Sequence, residues 1–273
     1  MVADIDIAAL RERIASLERG QRNMAARPPM PLGEARIDAA LPGGGLAAGA
    51  LHEVFGGSAG DDAAAGFALL LLARFARDGR LVLWCRNRAA SRRQDLPPIS
   101  PYAPGLAALG LDPGRLLLVH ATRDVDTLWA MEEALRETAF AAVLGEVGEI
   151  GLSGGRRLQL AAEAHGVTAL LLRPGRADPA PTAAVTRWQA TARPATAGGQ
   201  PVDGLPMDSV PVDSLPVDSL PVWRLDLLRC RGGRPGSWLV ARDRDLLLPA
   251  DPAPPSSCRE PPYRELSCRE TGS

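Results

Sequence analysis

The nearest thing to a reactive constellation in this chain is a strand, a glycine loop and a helix in succession. Leu51-His52-Glu53-Val54-Phe55 is a short apolar strand. Gly56-Gly57-Ser58-Ala59-Gly60-Asp61-Asp62 is a loop, and Ala63 to Arg77 reads as a largely apolar helix. Such a loop binds nucleotide phosphates when it carries G-x-x-x-x-G-K-[ST]. Its backbone N–H groups cradle the phosphates, its lysine reaches the β- and γ-phosphates, and its hydroxyl holds magnesium. Here Gly56, Gly57 and Gly60 are present, but Asp61 and Asp62 stand where lysine and serine or threonine belong. All 31 basic residues of the chain are arginine, so it has no lysine to offer from anywhere.

Losing one charge-assisted contact costs about 1.5–3 kcal/mol. A carboxylate about 4 Å from a phosphate charge adds roughly 4 kcal/mol of repulsion at an effective dielectric near 20. Together these weaken phosphate binding on the order of ten-thousand-fold. A magnesium ion bridging Asp61 or Asp62 to a phosphate would offset part of that loss. The loop therefore reads as a tight structural turn, with no catalytic residue, cofactor or metal ion expected.

The elements around the loop alternate. Strands are expected at 50–55, 81–85, 116–119, 140–144 and 167–172, and helices at 63–77, 126–138 and 155–165. The strands are nearly continuous apolar runs, which is the pattern of a mostly parallel sheet flanked by helices on both faces. Beyond residue 173, Val185 to Ala190 and Trp223 to Arg229 alternate in polarity. A glycine-rich turn at 231–236 leads into a returning strand at 237–242. These should extend one edge of the sheet with antiparallel strands.

Three segments stand apart from this core. Residues 1–27 form an N-terminal arm, in which Ile7, Leu10, Ile14 and Leu17 recur at helical spacing among Arg11, Glu12, Arg13 and Glu18. Such a helix either folds back on its own domain or docks on another subunit. The core spans 32–249, with a low-complexity loop inserted at 195–221. Residues 201–220 of that loop are four units of five (PVDGL, PMDSV, PVDSL, PVDSL). A proline in every fifth place excludes helix and central strand. The tail, 250–273, is rich in Pro, Ser, Arg and Glu and is expected to be disordered.

Composition narrows the function classes. Hydrophobic residues make up 46% and charged residues 23%, so a packed core is expected. A net charge of -1 argues against a generally basic nucleic-acid coat. The four cysteines form no C-x-x-C pair, and with three scattered histidines they give no zinc-finger spacing. No signal peptide is expected, since acids stand in the first residues where a charged n-region would need bases, and the longest apolar run, Phe67 to Ala73, is far shorter than a membrane span. A cytoplasmic protein without membrane contact is expected.

Upstream of the loop, Ile37-Asp38-Ala39-Ala40-Leu41-Pro42-Gly43-Gly44-Gly45-Leu46-Ala47-Ala48-Gly49 resembles the entry to the P-loop in RecA-like proteins. The closer resemblance is to the ImuA family, RecA-like inducible-mutagenesis proteins also grouped with the division inhibitor SulA. It is carried by LPGGGLAAGALHEVFG at 41–56, YAPGLAALGLDPGRLLLV at 102–119 and DTLWAMEEALRE at 126–137. RRLQLAAEAHGVTALLLR at 156–173 and RLDLLRCRGGRPGSWLVARD at 224–243 continue it.

The resemblance covers most of residues 32–245 and implies a RecA-like α/β fold. It also implies a cytoplasmic accessory of SOS-induced, error-prone translesion DNA synthesis. The partners implied are an ImuB-like relative of the Y-family polymerases, an alternative DNA polymerase III alpha subunit, and RecA, which residues 4–22 would bind as filament subunits bind one another. Of the family's catalytic pattern little carries across. Arg86 stands near the position of the water-activating glutamate. Gly145 falls at the position of the magnesium-linked aspartate, with Glu146 next, read as a solvated strand-end carboxylate.

Two arginine groups are candidates for contact with DNA or an acidic partner: Arg86, Arg88, Arg92 and Arg93 past a strand end, and Arg231 and Arg234 with Arg229 around the late turn. With two Tyr and four Phe, no stacking platform for single-stranded bases is expected. The five tryptophans read as core or interface residues. Two other readings remain open: a divergent RecA-like ATPase that binds DNA, and a SulA-like inhibitor of cell division acting on FtsZ.

Overall fold

The computed structural model describes residues 27–56, 62–87, 101–173, 175, 181–193, 220–243 and 246–250. The N-terminal amphipathic segment, the body of the repeat insert and the C-terminal tail lie outside them.

Five helices and nine strands are described. In chain order they are α1 (Ala35–Ala40), β1 (Leu51–Phe55), α2 (Ala63–Phe75), β2 (Leu81–Asn87), α3 (Ala103–Ala108), β3 (Leu116–Ala121), α4 (Asp124–Leu135), β4 (Phe140–Glu146), α5 (Leu152–His165), β5 (Thr168–Arg173), β6 (Thr186–Arg193), β7 (Val222–Cys230), β8 (Gly236–Asp243) and β9 (Leu246–Pro249). One sheet runs β3-β2-β4-β5-β1-β6-β7-β8-β9. The first six strands in that order are parallel, and β7, β8 and β9 continue it antiparallel.

This is the expected architecture: a RecA-like, mostly parallel sheet with antiparallel strands at one edge. Each face carries its own core. On one face α2 is apolar nearly all round and is buried accordingly, with Phe67 and Leu71 against Trp188, Trp223 and Leu225. On the other face α4 and α5 lay Met131, Leu135, Leu158 and Ala162 over Leu51, Leu83, Val143 and Leu171. No helix among the described residues is long and apolar enough to cross a membrane.

Three elements went unanticipated: α1, α3 and β9. Each is six residues or fewer, too short for periodicity to show. Helix α5 starts at Leu152, three residues earlier than expected, and so takes in Gly154 as well as Gly155. Gly155 is buried inside the helix, where only small atoms such as Leu51 Cδ2 and Ala183 Cβ come near it.

The glycine cluster upstream of β1 has a structural explanation. Gly43 sits at φ 72°, which side chains rarely adopt. A side chain on Gly45 would meet the Met30 carbonyl oxygen at 2.5 Å, because Met30 and Leu46 exchange backbone hydrogen bonds there. Asp38 accepts the Leu32 and Gly33 amides at 2.6 and 2.9 Å.

His52 ties this turn to the sheet. Its Nε2 lies 2.9 Å from the Ala47 carbonyl oxygen and its Nδ1 2.7 Å from Thr186 Oγ1. The ring therefore donates to Ala47 through Nε2 and accepts the Thr186 hydroxyl at Nδ1. Trp188 Nε1 in turn donates to Thr186 Oγ1 at 2.9 Å. Burial drives the imidazole from the ordinary 6.5 down to about 4. The unfolded chain therefore binds a proton between those values that the folded chain refuses, and stability falls as pH drops from 6.5 through 4. Complete titration is worth about 3 kcal/mol. Urea midpoints at pH 7.5 and 4.5 should show this loss in the wild type and a smaller loss in His52→Gln; equal losses would contradict it.

Candidate functional site

The glycine loop leaves β1 at Gly56, whose amide donates to the Arg173 carbonyl at 3.2 Å and whose carbonyl accepts the Gln189 side-chain amide. The two neighbouring strands therefore hold both sides of this residue. Asp62, at the start of α2, is exposed, and its side chain does not cap the helix. Gly57, Gly60 and Asp61 lie outside the described residues.

The chemistry of such a site depends on the ends of β2 and β4, which are adjacent in the sheet. Trp84 and Arg86 on β2 and Glu146 on β4 project on the face that α2 covers, because residues alternate along a strand. Gly145 points to the other face. There the Met131 sulfur occupies the space a side chain would need. Glu146, not Gly145, is thus the strand-end residue on the face of the loop helix.

Glu146 is not the solvated carboxylate expected from the sequence. Its side chain is 16% exposed, and its Oε1 accepts Trp84 Nε1 at 3.0 Å and Arg86 Nε at 3.3 Å. The Arg86 guanidinium also lies 5.1 Å from the Trp84 ring centroid. Burial pushes the Glu146 carboxyl above its usual range, and Arg86 and Trp84 only partly offset this. A cation and an indole thus hold this strand-end carboxylate.

Among the described residues, Arg86 and the arginines of the late turn do not meet. Arg86 is committed to Glu146 rather than displayed on a solvated loop. Arg88, Arg92 and Arg93 lie outside the described residues, as do Ile7, Leu10, Ile14 and Leu17. The β7–β8 turn with Arg231 and Arg234 lies at the opposite, amino-terminal end of the parallel strands, beside Pro42. Arg231 donates to the Ala183 carbonyl at 3.4 Å and Arg229 to the Thr182 carbonyl at 2.9 Å. Arg234 is exposed. Trp84, Trp188 and Trp223 are buried as expected and Trp238 packs partly against them, but Trp129 is 65% exposed on α4.

A second polar cluster escaped the sequence reading. Glu53 and Arg187, 3% and 8% exposed, pair at 2.8 Å between β1 and β6. Thr182 donates to the other Glu53 oxygen at 2.9 Å. The Arg187 and Arg173 guanidinium groups lie 5.3 and 5.0 Å from the Phe55 ring centroid. The available signal was a glutamate inside an otherwise apolar strand, since a buried carboxylate demands a partner.

No family model matches the chain. The ImuA proteins of two Caulobacter vibrioides strains are each 36% identical to it over 237 residues, 82% of this chain and 86% of theirs. The chain belongs to the ImuA family. Within this family member, the strand-end pair lends itself to a direct check. Arg86→Ala strands a half-buried carboxylate and should cost about 1–3 kcal/mol of stability at neutral pH. Adding Glu146→Gln should recover part of it; strictly additive losses in chemical denaturation would show that the two residues do not act as a pair.

Proposed function

We propose that the chain is a non-catalytic RecA-like accessory protein of SOS-induced, error-prone translesion DNA synthesis, working through protein contacts in the cytoplasm. Membership of the ImuA family supports a role in inducible mutagenesis. The observation that carries the non-catalytic reading is the Arg86–Glu146–Trp84 cluster. Nucleotide hydrolysis on this fold needs one carboxylate to orient water and another to hold magnesium. Here a guanidinium stands at the first position and takes the carboxylate at the second. The lysine-free loop with its two aspartates points the same way.

The partners proposed are an ImuB-like relative of the Y-family polymerases, an alternative DNA polymerase III alpha subunit, and RecA. DNA is reached through them. Residues 4–22 supply an amphipathic face suited to docking on such a partner.

Two measurements test the proposal. Calorimetric titration with ATP and magnesium should give no saturable signal, and micromolar binding or measurable hydrolysis would overturn the non-catalytic reading. Deleting residues 1–25 should abolish retention of RecA or the ImuB-like partner in a pull-down. Unchanged retention would remove the arm from the proposal.

A further inference from the structure

A strip of apolar surface is left open beside α4. That helix lies chiefly over β2 and β4, while β3 is the last strand of the sheet. On one flank α4 meets α5: Leu128 lies beside Gly154, and Glu132 pairs with Arg157 at 2.8 Å. Two residues turn a helix by about 200°. Ala130 and Ala134 therefore face the opposite flank, toward β3. Among the described residues no helix covers that flank.

The floor of the strip is Leu117 and Val119 of β3 with Leu81 at the start of β2. Leu116 and Leu118 pack against the core on the face of α2, and Val119 against the core under α4. Leu117 shares the side of Val119, because side chains alternate along a strand. It pairs with Leu83 of the same core, and Leu81 is two places before Leu83. Leu117 is 50% and Leu81 41% exposed. Single exposed leucines are ordinary, but adjacent ones beside a half-covered strand mark a contact surface.

The chain's own N-terminal arm begins next to this strip. Arg27, the first described residue, pairs with Asp78 at 3.6 Å. Asp78 also holds Arg80 at 2.6 Å, and Arg80 donates to the Phe140 carbonyl at 2.6 Å. Leu81 follows Arg80 and pairs with Phe140 between β2 and β4. The arm is thus anchored at the amino-terminal ends of these strands, where the strip starts. Residues 23–26, extended, reach about 13 Å. A helix over 4–22 is about 28 Å long, against about 20 Å for β3. Its stripe of Ile7, Leu10, Ile14 and Leu17 has the spacing that fills an apolar groove.

We propose that in the free protein residues 4–22 lie as a helix in this groove of their own chain, with Ile7, Leu10, Ile14 and Leu17 against Leu81, Leu117, Val119 and Ala130. One apolar stripe cannot face the groove and a partner at once. Docking on a partner therefore requires the arm to leave this seat, and the seat lowers the arm's affinity for every partner by the fraction of time it is filled. The inference rests on the accessory reading only for what the released arm binds, and the seat is tested with no partner present.

Hydrogen exchange followed by mass spectrometry reads the arm directly in the full-length chain. Amides of residues 7–17 should exchange about tenfold or more slowly than in a synthetic peptide of residues 1–27. Leu117→Glu and Ile14→Glu should each restore the peptide's rates. Leu228→Glu, an exposed leucine of β7 roughly 24 Å across the sheet from β2, should leave the protection in place. Leu117 is half exposed, so its substitution should barely move the melting temperature, and Ile14→Glu makes the same test without touching the core. Light scattering should show single chains, with protection independent of concentration.

The proposal is overturned if the arm exchanges at the peptide's rates, if protection survives Leu117→Glu or Ile14→Glu, or if Leu228→Glu also removes it. Protection that appears only as chains associate would seat the arm on a second copy and overturn it equally.

Discussion

Two polar side chains lie buried in β1, the strand between β5 and β6, and the surrounding structure has to satisfy both. His52 and Glu53 point to opposite faces of the sheet, and neither reaches water. An unpaired buried carboxylate would cost several kcal/mol, and an unpaired imidazole less but still enough to matter. The answer on both faces comes from β6. Thr186 meets His52, and Arg187 meets Glu53. Adjacent residues of one strand thus serve adjacent residues of the other. A slip of β6 by one place would set Arg187 against the imidazole and leave the carboxylate unpaired. The parallel β1–β6 register, and with it the antiparallel edge beyond, is specified by this pair of contacts as much as by apolar packing.

The same logic shapes the strand ends on the face of α2. In a working nucleotide site the carboxylates there must keep open valences for metal and water. In this chain the Glu146 carboxylate already accepts an indole N–H and a guanidinium, and Arg86 also covers the indole. Met131 fills the space behind Gly145. The cluster is packed, and the Glu146 carboxylate is held from two sides.

Arginine does this work throughout. Arg80 reaches the Thr138 and Phe140 carbonyls, Arg173 the Gly148 carbonyl, and Arg229 and Arg231 the carbonyls of the 182–183 segment. A planar fork with five donors can close loop carbonyls, and in Arg173 it also lies over the Phe55 ring. With no lysine in the chain, arginine supplies the cations that hold these loops in place. This explains why counting arginines near a turn misjudges a binding surface: Arg229 and Arg231 are spent on backbone.

The amino-acid sequence by itself determined the alternation of elements, the parallel sheet with its antiparallel edge, and the loss of the phosphate-binding lysine. Those features rest on local periodicity and on residue identity, which a linear reading sees. It also carried the family, through five stretches matched in order. Only the tertiary structure decided where each charge goes. That Glu146 faces Arg86 and Trp84, and that Glu53 faces Arg187, depends on which strands become neighbours. Those residues are 60 or more positions apart in the pairs that matter (Arg86 to Glu146, Glu53 to Arg187). No periodicity links them. The sheet order brings them together, and burial then makes each pairing obligatory.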